Sequence, residues 1–208
     1  MNADPTKIEG LRKKILERRP QFPGLSEAYG AVEIALLDLK GKAEGSPVSE
    51  LIGGRTGDRI CLYASTGVPI GPEKCGEEAH RIVELGLTGY RIQAGSGPGG
   101  DLEAVRKVRS VLPSQLSLMV DGNACCLGEQ KYTQPEIDQL VREMSAYGLA
   151  WLAEPFDPKD RVAYHKLREQ KKVRVAAGRH EVGPDNLMSL ASDHIVDVIQ
   201  ANVTYQGD

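Results

Sequence analysis

The strongest constraint in this chain is an alternation. Short β-rich runs recur along it, and each is followed by a stretch with helical spacing. The runs are 60–64 (Ile-Cys-Leu-Tyr-Ala), 89–93 (Gly-Tyr-Arg-Ile-Gln), 116–120 (Leu-Ser-Leu-Met-Val), 149–153 (Leu-Ala-Trp-Leu-Ala), 173–177 (Val-Arg-Val-Ala-Ala) and 195–199 (Ile-Val-Asp-Val-Ile). Between them, Leu102, Val105, Val108 and Leu112 mark one amphipathic helix, with Asp101 as its expected N-cap. Ile137, Leu140, Val141 and Met144 mark another, and Thr133 with Glu136 three residues later gives it a capping-box start. Pro184 is placed to open the helix after the fifth run. Strands that alternate with helices pair in parallel through right-handed crossovers. Two α/β architectures satisfy this, an open doubly wound sheet and a (β/α)8 barrel, and periodicity does not separate them. A complete barrel needs eight units and typically about 250 residues. A barrel reading of these 208 residues is therefore a partial barrel of about six βα units.

A long helix is expected ahead of the first strand, over about 26–42. Ala28, Ala31, Val32, Ala35, Leu36 and Leu39 would form its apolar face, and Gly45-Ser46-Pro47 would end it. The charged segment before Pro23 is also read as helical.

Composition removes several function classes. With 26 basic and 29 acidic side chains the formal charge is −3, without the basic excess of a general nucleic-acid binder. No apolar run approaches the roughly 20 residues of a membrane helix, and the N-terminus lacks a signal-peptide profile. Cys61, Cys75, Cys125 and Cys126 form no CxxC pair, which points to a reduced, cytoplasmic setting. The stretch from Gly95 to Gly100 sits where phosphate loops occur, but it lacks the Walker ending, and Asp101 would repel a phosphate. It is read as a plain βα loop. The basic run Arg168–Lys172 is read as the solvated end of a helix.

Several stretches, taken in order, resemble one family. Residues 33–42 (Glu-Ile-Ala-Leu-Leu-Asp-Leu-Lys-Gly-Lys), then 45–48 and 51–54, resemble the entry into the barrel of mandelate racemase/muconate lactonizing enzymes of the enolase superfamily. Residues 118–123 (Leu-Met-Val-Asp-Gly-Asn) resemble the end of that family's third strand, and 151–155 (Trp-Leu-Ala-Glu-Pro) the end of its fourth. Residues 176–181 (Ala-Ala-Gly-Arg-His-Glu) resemble the end of its fifth, and 197–202 the sixth. The resemblance implies residues 1–24 as the remnant of an N-terminal α+β capping domain and 25–208 as an incomplete barrel domain. It also implies two further βα units, the seventh often bearing a second catalytic base.

The family resemblance implies an Mg²⁺-dependent enzyme, a lyase or isomerase of dehydratase or racemase type. Such an enzyme abstracts the proton next to the carboxylate of a small sugar acid. Mg²⁺ needs oxygen ligands, and in barrels these stand at the C-terminal strand ends. By this resemblance Asp121 is the first ligand. The second position falls on Ala153, which has no oxygen; alternation turns the neighbouring Glu154 to the other face, so Glu154 is the candidate metal ligand there only through a local shift of the strand end. The third falls on Arg179, with Glu181 as the nearest acidic alternative. A divalent ion about 4 Å from Arg179 would meet roughly 8 kcal/mol of repulsion at an effective dielectric of about 20. The family's base positions hold Arg91 and Gln93, neither of which is an ordinary general base near neutral pH. Asn123 falls where one dehydratase subgroup uses a His. Two readings stay open. One is an impaired member of the family; the other is a non-catalytic barrel remnant that binds or supports a partner. Independently of these two, the retained anion and the new cation at the ligand positions lead to the expectation that Arg179 pairs with Asp121 in place of a metal. Unpaired edges of a partial barrel also predict a homo-oligomer.

Overall fold

The computed structural model describes residues 8–17, 25–122 and 132–202. Asn123, Cys125, Cys126 and Gly207 lie outside them. Contacts divide the chain into two compact units, one comprising residues 1–60, 179–189 and 201–208 and the other 61–178 and 190–200.

In the first unit lie α1 (Ile8–Leu16), α2 (Leu25–Glu44) and α3 (Val48–Leu51). Tyr29 is buried, and its hydroxyl donates to Glu33 one turn on, at 3.1 Å. The backbone stops α2 by folding over Gly41, where Ser46 N–H donates to the Gly41 carbonyl at 2.9 Å. A Cβ at Gly41 would lie 2.6 Å from the Ser46 carbonyl oxygen, so only glycine permits this close turn. The expected apolar face of α2 does not form a buried stripe. Ala28, Ala31, Val32, Ala35 and Leu39 are exposed and Leu36 is half-buried. Ile34 and Leu37 also spread apolar surface round the helix, so no single face is favoured.

The second unit is built on a six-stranded parallel sheet in the order β1-β2-β3-β4-β5-β6. The strands are β1 (Ala64–Ser65), β2 (Gly89–Gln93), β3 (Ser117–Asp121), β4 (Leu149–Ala153), β5 (Val175–Ala177) and β6 (Val198–Ile199). Sequential order throughout is what repeated right-handed βα units produce, and it excludes the strand-order reversal of a doubly wound sheet. No β6–β1 pairing occurs among the described residues. Helices α4 (Pro72–Glu84), α5 (Pro98–Val111), α6 (Gln134–Met144) and α7 (Arg161–Glu169) connect the strands, and α8 (Pro184–Ser192) follows β5. No helix among the described residues is long and apolar enough to cross a membrane.

Strand alternation divides the sheet residues into two sets. Tyr90, Ile92, Leu118, Val120, Leu152 and Val175 belong to the core shared with α4–α7. Arg91, Gln93, Met119, Asp121, Trp151, Ala153 and Ala176 occupy the alternate positions and point to the other, inner face. Gly89 is needed for strand contact, because a Cβ there would lie 2.6 Å from the Ser117 carbonyl oxygen.

Some boundaries differ from the sequence reading. The first strand is only Ala64–Ser65. Ile60, Leu62 and Tyr63 are exposed, and among the described residues β1 pairs on one side alone. Asp101 is not an N-cap, since α5 already begins at Pro98. Instead its buried carboxylate accepts from the N–H groups of Gly95 (3.0 Å) and Ser96 (2.9 Å) and from the Tyr132 hydroxyl, and so ties the glycine-rich loop to its own helix. Burial raises the Asp101 carboxyl above its ordinary range, and the three hydrogen bonds oppose that rise. The capping box is as expected: Thr133 N–H and hydroxyl both donate to Glu136, at 2.7 and 2.8 Å. Arg168 is not simply solvated, since its Nε donates to Asp197 at 2.9 Å and its Nη1 to the His194 carbonyl at 3.1 Å.

Candidate functional site

The inner face gathers its chemistry at the C-terminal ends of β2, β3 and β4. The register sets Gln93 beside Asp121, Asp121 beside Ala153, and Ala153 beside Ala176. Asp121 is fully buried. Its Oδ2 lies 3.4 Å from Arg91 Nη1 and accepts from Gln93 Nε2, also at 3.4 Å. Arg91 is fixed on two further sides. Its Nε donates to Ser65 Oγ at 3.1 Å, and its guanidinium carbon lies 5.8 Å from the centre of the Tyr63 ring. Tyr63 in turn meets Trp151 edge to face, with ring centres 5.8 Å apart.

Three buried polar atoms have no hydrogen-bond partner among the described residues: Gln93 Oε1, Trp151 Nε1 and Gln200 Oε1. Gln200 follows Val198, the residue paired with Ala176, by two positions, which returns it to the inner face. Such atoms are uncommon in folded proteins, and each is costly to leave without a partner.

Glu154 belongs to the opposite side. It is buried, with φ of 46°, a left-handed conformation that a non-glycine residue adopts rarely. Its Oε2 accepts from the Tyr164 hydroxyl of α7 and its Oε1 from Gly178 N–H, both at 3.0 Å. The Tyr164 oxygen is also 3.0 Å from the Phe156 carbonyl oxygen. Glu154 thus ties the end of β4 to α7 and to the end of β5. Nothing in the sequence pointed to Tyr164, which lies ten residues away on the apolar side of a helix. Gly122 completes the strand end: a Cβ there would come within 3.1 Å of the Glu154 carbonyl oxygen and of Pro155 Cα.

Of the residues singled out from sequence, the structure brings Arg91, Gln93, Asp121 and Ala153 together. Glu154 is turned away from them. Arg179 and Glu181 are half-buried on the loop after β5 and belong to the other compact unit. Asn123 lies outside the described residues. Arg91, from the neighbouring strand, sets a guanidinium against Asp121 at the same end of the sheet.

This arrangement can be tested against a divalent ion. The inner-facing positions of β2–β5 hold a single carboxylate, Asp121, and beside it Ala153, at the family's second ligand position, has no oxygen to offer. A guanidinium already lies against it. No group of three or more His, Cys, Asp or Glu side chains suited to a metal occurs among the described residues. Mg²⁺ requires several oxygen ligands and is repelled by a fixed cation. The residues present do not fit that ion.

Residues 74–208 match the domain family described as enolase C-terminal domain-like. Residues 1–53 match the mandelate racemase/muconate lactonizing enzyme N-terminal domain. The chain belongs to the mandelate racemase/muconate lactonizing enzyme family of the enolase superfamily. It is 30% identical over 186 residues to a D-galactarolactone cycloisomerase of Agrobacterium fabrum, an alignment covering 86% of this chain and 47% of that protein. It is 29% identical over 190 residues to an L-rhamnonate dehydratase of Saccharopolyspora erythraea, covering 86% and 44%. The 3,6-anhydro-D-galactonate cycloisomerase structure from Zobellia galactanivorans superposes with a TM-score of 0.89 at 26% identity, covering 100% of this chain and 57% of that one. A racemase from Streptomyces coelicolor A3(2), solved with bound magnesium, shares the fold with a TM-score of 0.85 at 22% identity, covering 100% and 61%. This chain therefore spans about half the length of the curated relatives it matches. The enolase-superfamily fold and its sugar-acid dehydratase and cycloisomerase relatives agree with the barrel reading of the sequence.

Proposed function

We propose that this chain carries part of the barrel of a sugar-acid enzyme but does not perform the family's metal-assisted abstraction of an α-proton. The observation that carries this reading is the inner-face register: Asp121 stands beside Ala153, which stands beside Ala176, and Arg91 lies on the one carboxylate left. The family's chemistry needs two things at this face. One is an electrophile for the developing enediolate; the other is a base for a weakly acidic proton. Arg91 and Gln93 occupy the base positions. Arginine keeps its proton at physiological pH, and an amide has none to exchange usefully. The substrate class is taken from the relatives, whose names specify sugar acids and their lactones. A second reading, a non-catalytic subunit that binds a small carboxylate or supports a partner, is favoured by the same substitutions.

The test is a calorimetric titration of the chain with Mg²⁺, with Asp121→Ala as control, alongside turnover assays on a panel of aldonic and aldaric acids. The expected result is no saturable binding at millimolar Mg²⁺ and no turnover. Saturable binding that disappears in Asp121→Ala would restore the metal-dependent enzyme.

A further inference from the structure

We infer that Arg91 replaces the divalent cation at this face, so that a small hydroxy-carboxylate is held by the guanidinium directly, with its hydroxyls on Gln93 and Trp151. The inference rests on the proposed function only in requiring that no metal occupies Asp121.

Arg91 is placed and oriented for this task. Its contacts to Asp121, Ser65 and the Tyr63 ring hold the planar guanidinium on three sides. These polar contacts use Nη1 and Nε, and a guanidinium has five N–H donors in a fixed fork. A fork already held in position loses little freedom when a carboxylate takes two parallel N–H bonds from it. The side chain is 16% exposed, so it is accessible yet largely shielded from water, where ionic hydrogen bonds are stronger than at an open surface.

The second independent observation is the pair of buried polar atoms without partners. Gln93 Oε1 is an acceptor and Trp151 Nε1 a donor. A ligand hydroxyl can donate to the first or accept from the second. All three residues share the inner face: Gln93 lies two residues beyond Arg91 on β2, and Arg91, Met119 and Trp151 lie side by side on adjacent strands. Two strand spacings make about 10 Å between the Arg91 and Trp151 backbones, and Tyr63 contacts both side chains across that interval. Because Asp121 already neutralises part of the Arg91 charge, binding is expected to be weak and salt-sensitive.

The experiment is calorimetry on the full chain with D-gluconate as the probe, in EDTA and then with millimolar Mg²⁺, using the neutral polyol glucitol as control. Saturable gluconate binding in EDTA is expected, unchanged by Mg²⁺, with none for glucitol. Arg91→Lys keeps a cation beside Asp121 and should fold, yet it should weaken binding about tenfold by losing the fork. Trp151→Phe keeps a ring and removes the N–H, and should weaken binding about fivefold. Binding that appears only after Mg²⁺ is added would overturn both this inference and the proposed function. No gluconate binding under either condition would overturn this inference alone. Equal binding of glucitol, or full affinity in Arg91→Lys, would also overturn it.

Discussion

Replacing Arg91 with Met tests whether the ion pair on the inner face is part of the fold. Asp121 is 0% exposed on its side chain and Arg91 16%, with 3.4 Å between the charged atoms. At that distance, and at an effective dielectric of about 20, the Coulomb attraction is about 5 kcal/mol before desolvation is subtracted. Methionine keeps most of the aliphatic stem that lies against Tyr63 but leaves the buried carboxylate without this cation. Removing one partner of a buried pair usually costs 3–5 kcal/mol. Gln93 Nε2 still reaches Asp121, which reduces the loss, so about 3 kcal/mol is expected for Arg91→Met. For a chain of this size that corresponds to a fall in Tm of roughly 6–12 °C. Urea unfolding followed by far-UV circular dichroism measures it, with an unchanged m-value as the check that the native state is intact. The double variant Arg91→Met/Asp121→Leu removes both charges and should recover most of the loss, since a hydrophobic replacement of a buried pair is often neutral. A change below about 0.5 kcal/mol in Arg91→Met, or strict additivity in the double variant, would refute the reasoning.

Four further outcomes follow from other parts of the structure. Tyr164→Phe removes the hydroxyl that donates to buried Glu154 and should cost about 2 kcal/mol; unaltered urea stability would show that Glu154 does not depend on that bond. Gly89→Ala drives a Cβ to 2.6 Å from the Ser117 carbonyl oxygen and should cost about 2–3 kcal/mol or leave the chain insoluble; wild-type stability would contradict the strand contact. Asp101 has its folded pKa raised by burial, so its contribution is fully present below the unfolded value of 3.8 and is lost as pH rises through the folded value. Wild type should therefore gain stability relative to Asp101→Asn as pH falls toward 3.8, and a gap that shrinks on acidification would count against this. We also propose self-association, because Leu62 and Val68 are exposed beside the one-sided edge of β1; a sharp monomer in sedimentation velocity across a wide concentration range would oppose it.

The sequence by itself determined the order of elements and the strand-end motifs. Local signals suffice for these: period-2 and period-3.6 patterning, the Thr133/Glu136 box, Pro184 and the glycine turns. The family resemblance put Asp121 and Ala153 at matching strand ends, and alternation, a one-dimensional rule, set Glu154 on the other side. Short edge strands were read too long, since their pairing on one side alone gives no local mark. Only the tertiary structure decided that Arg91 meets Asp121. The two are thirty residues apart in the chain but on neighbouring strands of the sheet, with 3.4 Å between their charged atoms. It alone decided that Tyr164 and Gly178 hold Glu154, and that the indole N–H of Trp151 and the amide oxygen of Gln93 are left without partners on the inner face. The reason is physical: a side-chain hydrogen bond is decided within a few tenths of an ångström and by angle, and those depend on strand register and helix docking rather than on local residue pattern.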